Sequence, residues 1–499
     1  MTSGSGPALV VDQGTSSVKA ALVDSRGRVL ARARATTPSR RGRDGSVTGA
    51  PEQWWRSVRA AVGGLGELTG VRVVAVTSFM HTLVPLFADG GAGTVLLPGD
   101  RRGAAREAEF DAGSAGGRAA LARLAAWADL GEGRLRAAIP VKDYLRYRFT
   151  GELGSDPYDA GGAGLVEPAS GLQTPAGAAL LARLGAEPVP LLAPEAVAGT
   201  VTVDAAAETG LRAGTPVVTG SGDWLTVCLG AQAAFPGRGV LYAGTSAAYG
   251  GFADPAALAG LRDVGCLAVA VGSGAVLHWA AGLFGPARGD VDFPRGEFEF
   301  PRGEFEFPRG EFDSPRGEFD SPHGEFHSPR GDVTGPRGDV DGLFALAAAA
   351  PPGANGVRFV PRAPRPGGGR EAVVGEGDLT GLSLATGRAD LARAVVDGVA
   401  VWVADQVGRV LAARPVDEVL FCGGGASAGG FAGLLADVLG RPLTITAETD
   451  LGLVGLARLG FAGIGEAVVH DPVCAATVAT PDPARHAVYA ALRAERAGS

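Results

Sequence analysis

Cysteine is scarce in this 499-residue chain: Cys228, Cys266, Cys422 and Cys474 stand far apart, with no Cys-x-x-Cys spacing and no Cys/His cluster. That argues against a disulfide framework and against a metal held by thiolates, and it fits a reducing compartment. Long apolar runs are missing as well, since nowhere do the about 18 consecutive apolar residues of a spanning helix occur. The opening residues, MTSGSGPALVV, have neither the basic start nor the long apolar stretch of a secretion leader. A cytoplasmic protein without a membrane partner is expected. Positive charge is also in deficit, with 45 basic residues against 53 acidic and a net charge of -8. This argues against a nucleic-acid groove, although a nucleotide carried with magnesium needs only local positive charge. The length is too great for one core and predicts two domains.

What is present begins with LVVDQGTSSVKAALVD, residues 9–24: an apolar run ending on Asp12, then Gly14, Thr15, Ser16 and Ser17, then a second apolar run that includes Lys19. Two readings stand at this point. One is a plain β-hairpin whose turn is capped by Asp12 and Ser16. The other is a phosphate cradle, in which small side chains let backbone N–H groups approach phosphate oxygens while the acid recruits a divalent cation. With 80 glycines in the chain, one glycine turn decides little.

Further along, strands and helices alternate, which predicts an α/β architecture with covered sheets. Residues 8–34 read as paired strands, 51–65 as a helix with Pro51 in its first turn, and 71–78 as a buried strand leading to Met80 and His81. The stretch 139–160 reads as a helix closed by Gly151, with Asp156 and Asp159 in the turn that follows. Residues 213–231 read as strand, glycine turn, Asp223 and helix. At 237–252 a strand, turn and strand begin again much as the N-terminus did, and the domain boundary is placed just before them. The expected domains are therefore 1–236 and 237–470, followed by a C-terminal tail or helix over 471–499. Residues 388–413 read as a long helix packed on a sheet, and 417–442 as strand, triple glycine and helix.

Residues 286–341 differ in kind: seven tandem heptapeptides such as FPRGEFE and SPRGEFD follow a degraded copy. A proline and a glycine in every copy forbid a continuous helix, so this is a low-complexity insert, and its Arg-Gly-Asp triplets are by-products of the repeat. The flanking stretches 276–285 and 341–356 read as helices that a short loop could join.

Taken together and in order, these segments resemble the FGGY carbohydrate kinases of the actin and hexokinase superfamily over nearly the whole chain apart from the insert. The resemblance implies two ribonuclease H-like (actin-like ATPase) domains flanking a cleft. Asp12 would belong to the magnesium environment, and Gly14, Thr15, Ser16 and Lys19 to the ATP phosphates. VTSFMHTLVPL is similar to the segment that supplies sugar contacts, at Met80 and His81; GSGD resembles the loop of the catalytic base, at Asp223, which also meets the sugar. AGTS is similar to the second phosphate loop, with Gly244 and Thr245, and CGGGAS to the adenosine loop, with Gly423, Gly424 and Gly425. The segment 141–160 matches a family stretch with a structural role. PGDRR keeps Asp100 and Arg102 of a family element but carries Pro98 in place of its tryptophan. Trp224 replaces a family glutamine or asparagine, and its indole is expected to narrow the sugar site.

A sugar hydroxyl is a weak nucleophile, so a carboxylate within hydrogen-bond reach must take its proton as the bond to phosphorus forms. Asp223 is the expected base, with ATP and Mg2+ as cofactors. The expected activity is ATP-dependent phosphorylation of a small sugar, a ketopentose such as xylulose; gluconate or another polyol is the alternative acceptor. A catalytically weak sugar or nucleotide sensor is the rival class, and an interaction protein working through the repeat is a third. A monomer or homodimer is expected.

Overall fold

The computed structural model describes residues 6–111, 114–231, 237–244, 247–252, 264–270, 273–284, 339–361, 377–413, 415–446, 448, 450–466 and 475–498. The repeat up to residue 338 lies outside the described residues.

Two six-stranded sheets organise the chain. The first is built from β1 (Ala8–Gln13), β2 (Ser17–Val23), β3 (Val29–Thr36), β4 (Val73–Ser78), β5 (Val197–Thr200) and β6 (Pro216–Val218), in the order β3-β2-β1-β4-β6-β5. The hairpin strands β1, β2 and β3 are antiparallel, whereas β1, β4 and β6 run parallel. The second sheet repeats the plan with β7 (Arg238–Ala243), β8 (Ala247–Phe252), β9 (Val264–Ala270), β10 (Glu418–Cys422), β11 (Leu443–Thr446) and β12 (Ala475–Ala479), in the order β9-β8-β7-β10-β11-β12. Again a three-stranded antiparallel meander leads into parallel neighbours, and an antiparallel edge strand closes each sheet. The second half of the chain thus does begin again as the first did. β1, β4 and β6 are largely buried on both faces and are rich in valine, alanine and leucine, as parallel strands covered by helices require.

Helices cover the sheets: α1 (Pro51–Gly63), α2 (Val141–Thr150), α3 (Pro157–Gly162), α4 (Asp223–Gly230), α5 (Ser273–Phe284), α6 (Val340–Ala347), α7 (Arg388–Ala413), α8 (Phe431–Leu439), α9 (Leu451–Gly463) and α10 (Pro483–Gly498). Trp54 and Trp55 of α1 are both packing residues: Trp54 meets Phe79 edge-on and Trp55 meets Phe149, with the Arg148 guanidinium 5.1 Å above the Trp55 ring. α7 is buried along most of its length, from Asp390 to Val407. The stretch expected as a tail supplies more than a helix. β12 is the edge of the second sheet, and Tyr489 of α10 is fully buried in its core. Likewise, Asp339 caps α6 through its side chain, so the folded chain resumes inside the range expected for the insert. None of the helices among the described residues is long and apolar enough to cross a membrane.

The two halves are tied by α4 and α9. Although α9 follows the second sheet in sequence, its Leu453, Leu456 and Phe461 pack on Val10, Val73 and Val218 of the first. α4 meets it there through Leu225 and Leu229, and turns Trp224, Val227 and Cys228 toward Val240 and Leu420 of the second sheet. The two helices cross where both lack side chains. A Cβ on Gly455 would come to 1.8 Å from Thr226 O, and one on Gly230 to 1.8 Å from Leu451 O.

Gly455→Ala should therefore lower thermal stability, by about 1–3 kcal/mol or more for overpacking against backbone. By contrast, Gly433→Ala in α8, where a Cβ meets nothing within 4 Å, should raise it by about 0.5–1 kcal/mol through helix propensity. Opposite shifts in Tm for the two variants check the crossing.

Candidate active site

Ligands of parallel α/β sheets sit beyond the carboxyl ends of the strands, and the sequence-predicted residues gather at that edge. β1 delivers Asp12 and the turn after it, β4 delivers Phe79 to His81, and β6 delivers Gly220 to Asp223. In register, Gln13 lies beside Ser78 and Val74 beside Val217, which makes the three loops neighbours. In the second sheet β7 runs into Gly244 and β10 into Gly423, with Tyr242 paired to Cys422.

Gly14 N donates to Ser17 O at 2.9 Å and closes the first turn, while Thr15 and Ser16 stand exposed at its tip. Gly423, at φ +87°, lies against Ala243 O, where a Cβ would come to 2.5 Å; Gly425 is similarly close to Ala243 Cβ, and Gly424 faces open space. Gly244 abuts the Tyr242 ring. Thr245 lies outside the described residues.

Charge converges between the sheets. Lys19 Nζ sits 2.7 Å from Asp450 Oδ2, at the start of α9, and 3.6 Å from Asp12 Oδ2 on the neighbouring strand. The Asp12 side chain is about one-fifth exposed. Burial pushes its carboxyl up to about 6, with Lys19 opposing that rise and Asp450 adding to it. Burial also works against the Lys19 charge, but Asp12 and then Asp450 outweigh it and hold the ammonium above its ordinary value. The Tyr242 phenol is pushed far up by burial and then by Asp12, Asp450 and Asp223. One hydroxyl of the second half therefore feels three carboxylates, one near the end of β1 and two at the starts of α4 and α9.

Asp223 opens α4, its Oδ1 accepting from Trp224 N at 2.8 Å and its carbonyl from Thr226 Oγ1. Trp224 follows one helical step of about 100° further on. It is 8% exposed within an apolar cluster on which Met80, one of the expected sugar contacts, also packs. Met80 packs against Gly222, where a Cβ would meet its Sδ at 2.7 Å, and against Gly162. His81 holds φ +63°, a left-handed conformation that costs a side-chain-bearing residue about 1 kcal/mol. Two bonds keep it there: Nδ1 lies 2.6 Å from Gly162 O, which assigns the ring proton to Nδ1, and the Arg123 guanidinium donates to His81 O. Asp100 is consumed in structure, accepting from Val47 N and, with both oxygens, from the Arg102 guanidinium.

Behind these loops lies a cluster whose chemistry the sequence reading passed over. Lys142 Nζ is 2.6 Å from Asp143 Oδ1 and 3.0 Å from Asp156 Oδ2, and Arg146 Nε is 3.5 Å from Asp143, all of them fully buried. Two cations thus balance two carboxylates. Asp159, 1% exposed, is the fifth charged-type residue, and neither of its oxygens has a hydrogen-bond partner. Burial raises it well above its ordinary value, Lys142 opposing, and the nearby Asp156, Asp143 and Asp223 add to the rise. A signal for this cluster was present in the sequence: only two of the 45 basic residues are lysines, Lys19 and Lys142. Both sit where carboxylates converge. Asp450 and Tyr242 carried no comparable mark.

Residues 8–91 match the N-terminal domain of the FGGY family of carbohydrate kinases, and residues 326–464 match the C-terminal domain of that family. Both domains of that one family are thus matched, in order, within this chain. Its fold is shared by solved kinase structures. The gluconate kinase of Lactobacillus acidophilus superposes with a TM-score of 0.72 at 18% identity, covering 99% of this chain and 97% of that one. A xylulose kinase of Rhodospirillum rubrum gives 0.68 at 24% identity, covering 98% and 97%. Among curated proteins, an autoinducer-2 kinase of Klebsiella pneumoniae is 40% identical over 115 residues, 22% of this chain. The chain spans in that match about a fifth of the relative's length, 20%.

The state of Asp159 has a measurable consequence. Above its ordinary value near 3.8 the unfolded chain gives up a proton that the folded chain retains, so stability falls as pH rises through that window. Asp159→Asn carries no such proton. The Tm of the variant minus that of the parent should grow more positive from pH 4 to pH 8; a difference that becomes more negative would mean an ionised, paired Asp159.

Proposed function

We propose that the chain is an ATP-dependent carbohydrate kinase that transfers the γ-phosphoryl group to a hydroxyl of a small sugar, preferably a ketopentose such as xylulose. The observation that carries the reading is the ion-pair cluster of Lys19 with Asp12 and Asp450, which joins the hairpin of the first sheet to the start of α9. In this reading Asp223 is the general base, taking the hydroxyl proton as the new P–O bond forms. Lys19 and the backbone N–H groups of the 14–16 turn neutralise the transferring phosphate, with Gly244 and Thr245 facing it from the second domain. Met80 and His81 hold the sugar, and Gly423, Gly424 and Gly425 give the adenosine side a surface without side chains. Asp12, a partly exposed oxygen donor beside a second carboxylate, has the hard-donor character that suits magnesium. When bound, the ion supplies charge neutralisation of the phosphates. Enclosure between the two domains keeps water from competing as acceptor.

The acceptor is the finer part of the proposal. Solved neighbours named xylulose kinase and gluconate kinase support a sugar or aldonate. The curated relatives, named autoinducer-2 kinases at 37–40% identity over a short stretch, make autoinducer-2 a second acceptor to try.

ADP release with ATP and Mg2+ against ketopentoses, aldonates, polyols and autoinducer-2 tests the reading. Turnover on one acceptor, lowered by roughly 10²–10⁴-fold in Asp223→Ala, is the expected result. No turnover on any of them, with ATP still bound, would make the chain a binding protein instead. Replacing residues 286–338 with a short linker should leave turnover within about twofold, since loop length costs little stability; complete loss with retained folding would give the repeat an active part.

A further inference from the structure

Gly220, Ser221 and Gly222 carry the chain from β6 to Asp223, and a Gly-Ser-Gly run has little stiffness of its own. Its place is fixed from outside. Gly220 holds φ +69° with its backbone against β4, where a Cβ would come to 2.0 Å from Val76 O. Ser221 is fully buried and tied twice: its carbonyl accepts from Thr77 Oγ1 at 2.6 Å, and its Oγ donates to Asp156 Oδ1 at 2.8 Å. Asp156 also accepts from the backbone N–H groups of Tyr158 and Asp159, and its other oxygen faces Lys142 Nζ at 3.0 Å. Lys142 is anchored in turn on Asp143, which accepts from Ser155 Oγ at 2.6 Å. The path from Ser155 to Ser221 contains no exposed side chain.

We propose that Lys142, Asp156 and Ser221 form a buried positioning unit that sets the Asp223 carboxylate for proton transfer, acting on the rate of the chemical step without touching either substrate. The inference rests on the reading of Asp223 as the base. A proton acceptor works only within hydrogen-bond reach, and a misplacement of about 1 Å can cost about 10²-fold. A loop with glycine on both sides of Ser221 passes any slackness of Ser221 directly to Asp223. Lysine suits the buried end of the unit, because a compact ammonium reaches two carboxylates in a space where a planar guanidinium would need its own fork of acceptors. The same short segment also sets the sugar side: Asp156 caps α3, and Gly162 at its far end receives the His81 ring. One buried anchor thus registers the base loop against the loop of Met80 and His81.

The test uses the full chain, with steady-state kinetics on the accepted sugar and Tm measured beside them. Ser221→Ala removes the bond to Asp156 and keeps the loop backbone, and Thr77→Val removes the other anchor without changing shape. Both should lower kcat, Ser221→Ala by about 10- to 100-fold, while the KM for ATP stays within about twofold of the parent and the protein remains folded. A kcat within about twofold of the parent for both folded variants would overturn the inference. So would losses of kcat that vanish once the folded fraction is counted, which is the mark of a structural role alone. A parent chain with no turnover on any acceptor would overturn the base reading and this inference with it, an outcome distinct from an active parent with indifferent variants.

Discussion

Two helices that touch through bare backbone decide where everything else in this protein can lie. α4 leaves the first sheet carrying Asp223, and α9 returns to that sheet from the second half of the chain carrying Asp450 at its start. Because Gly230 and Gly455 bear no side chain, the helices approach until a single added carbon would strike a carbonyl. That approach packs α9 on the first sheet and lets α4 reach Val240 and Leu420 of the second. Neither sheet alone holds the full set of groups: Asp12, Lys19 and Asp223 come from one, Tyr242 and the glycine turns from the other.

Around this crossing the chain concentrates charge in a solvent-poor space and balances it by placement. Lys19 sits between two carboxylates that would otherwise repel, and its ammonium opposes the rise that burial imposes on the Asp12 carboxyl. The cluster behind it, Lys142 and Arg146 against Asp143 and Asp156, is neutral without Asp159. Buried pairs of this kind contribute little net stability, since desolvation offsets attraction. Their value here is geometric: they fix the Gly-Ser-Gly loop, which could not fix itself.

Much of this was legible in the sequence. Strand-turn-strand at 8–34, Pro51 at a helix start, Gly151 at a helix end and the Asp223 helix all stand where local chemistry placed them, because short-range propensity and the core pattern agree at those points. The second opening of the same plan at 237 was visible for the same reason. What could not be read was tertiary. Nothing local says that α9 abandons the sheet it follows, or that β12 and α10 complete the second sheet and core. Asp450 escaped for that reason too, since its importance comes from a lysine 431 positions earlier. Lys142 and Asp156 lay in a stretch given a structural role, which is right as far as packing goes and incomplete once Ser221 is seen at the end of their bonds.

The account stands or falls on where ligands bind. A crystal structure of the full chain with Mg2+, a non-hydrolysable ATP analogue and the accepted sugar tests it most directly. The account predicts the terminal phosphate beside Asp12, Lys19 and the turn at Gly14, with one sugar hydroxyl within hydrogen-bond reach of the Asp223 carboxylate. A nucleotide bound away from the edge shared by the two sheets, or a sugar out of reach of Asp223, would contradict it.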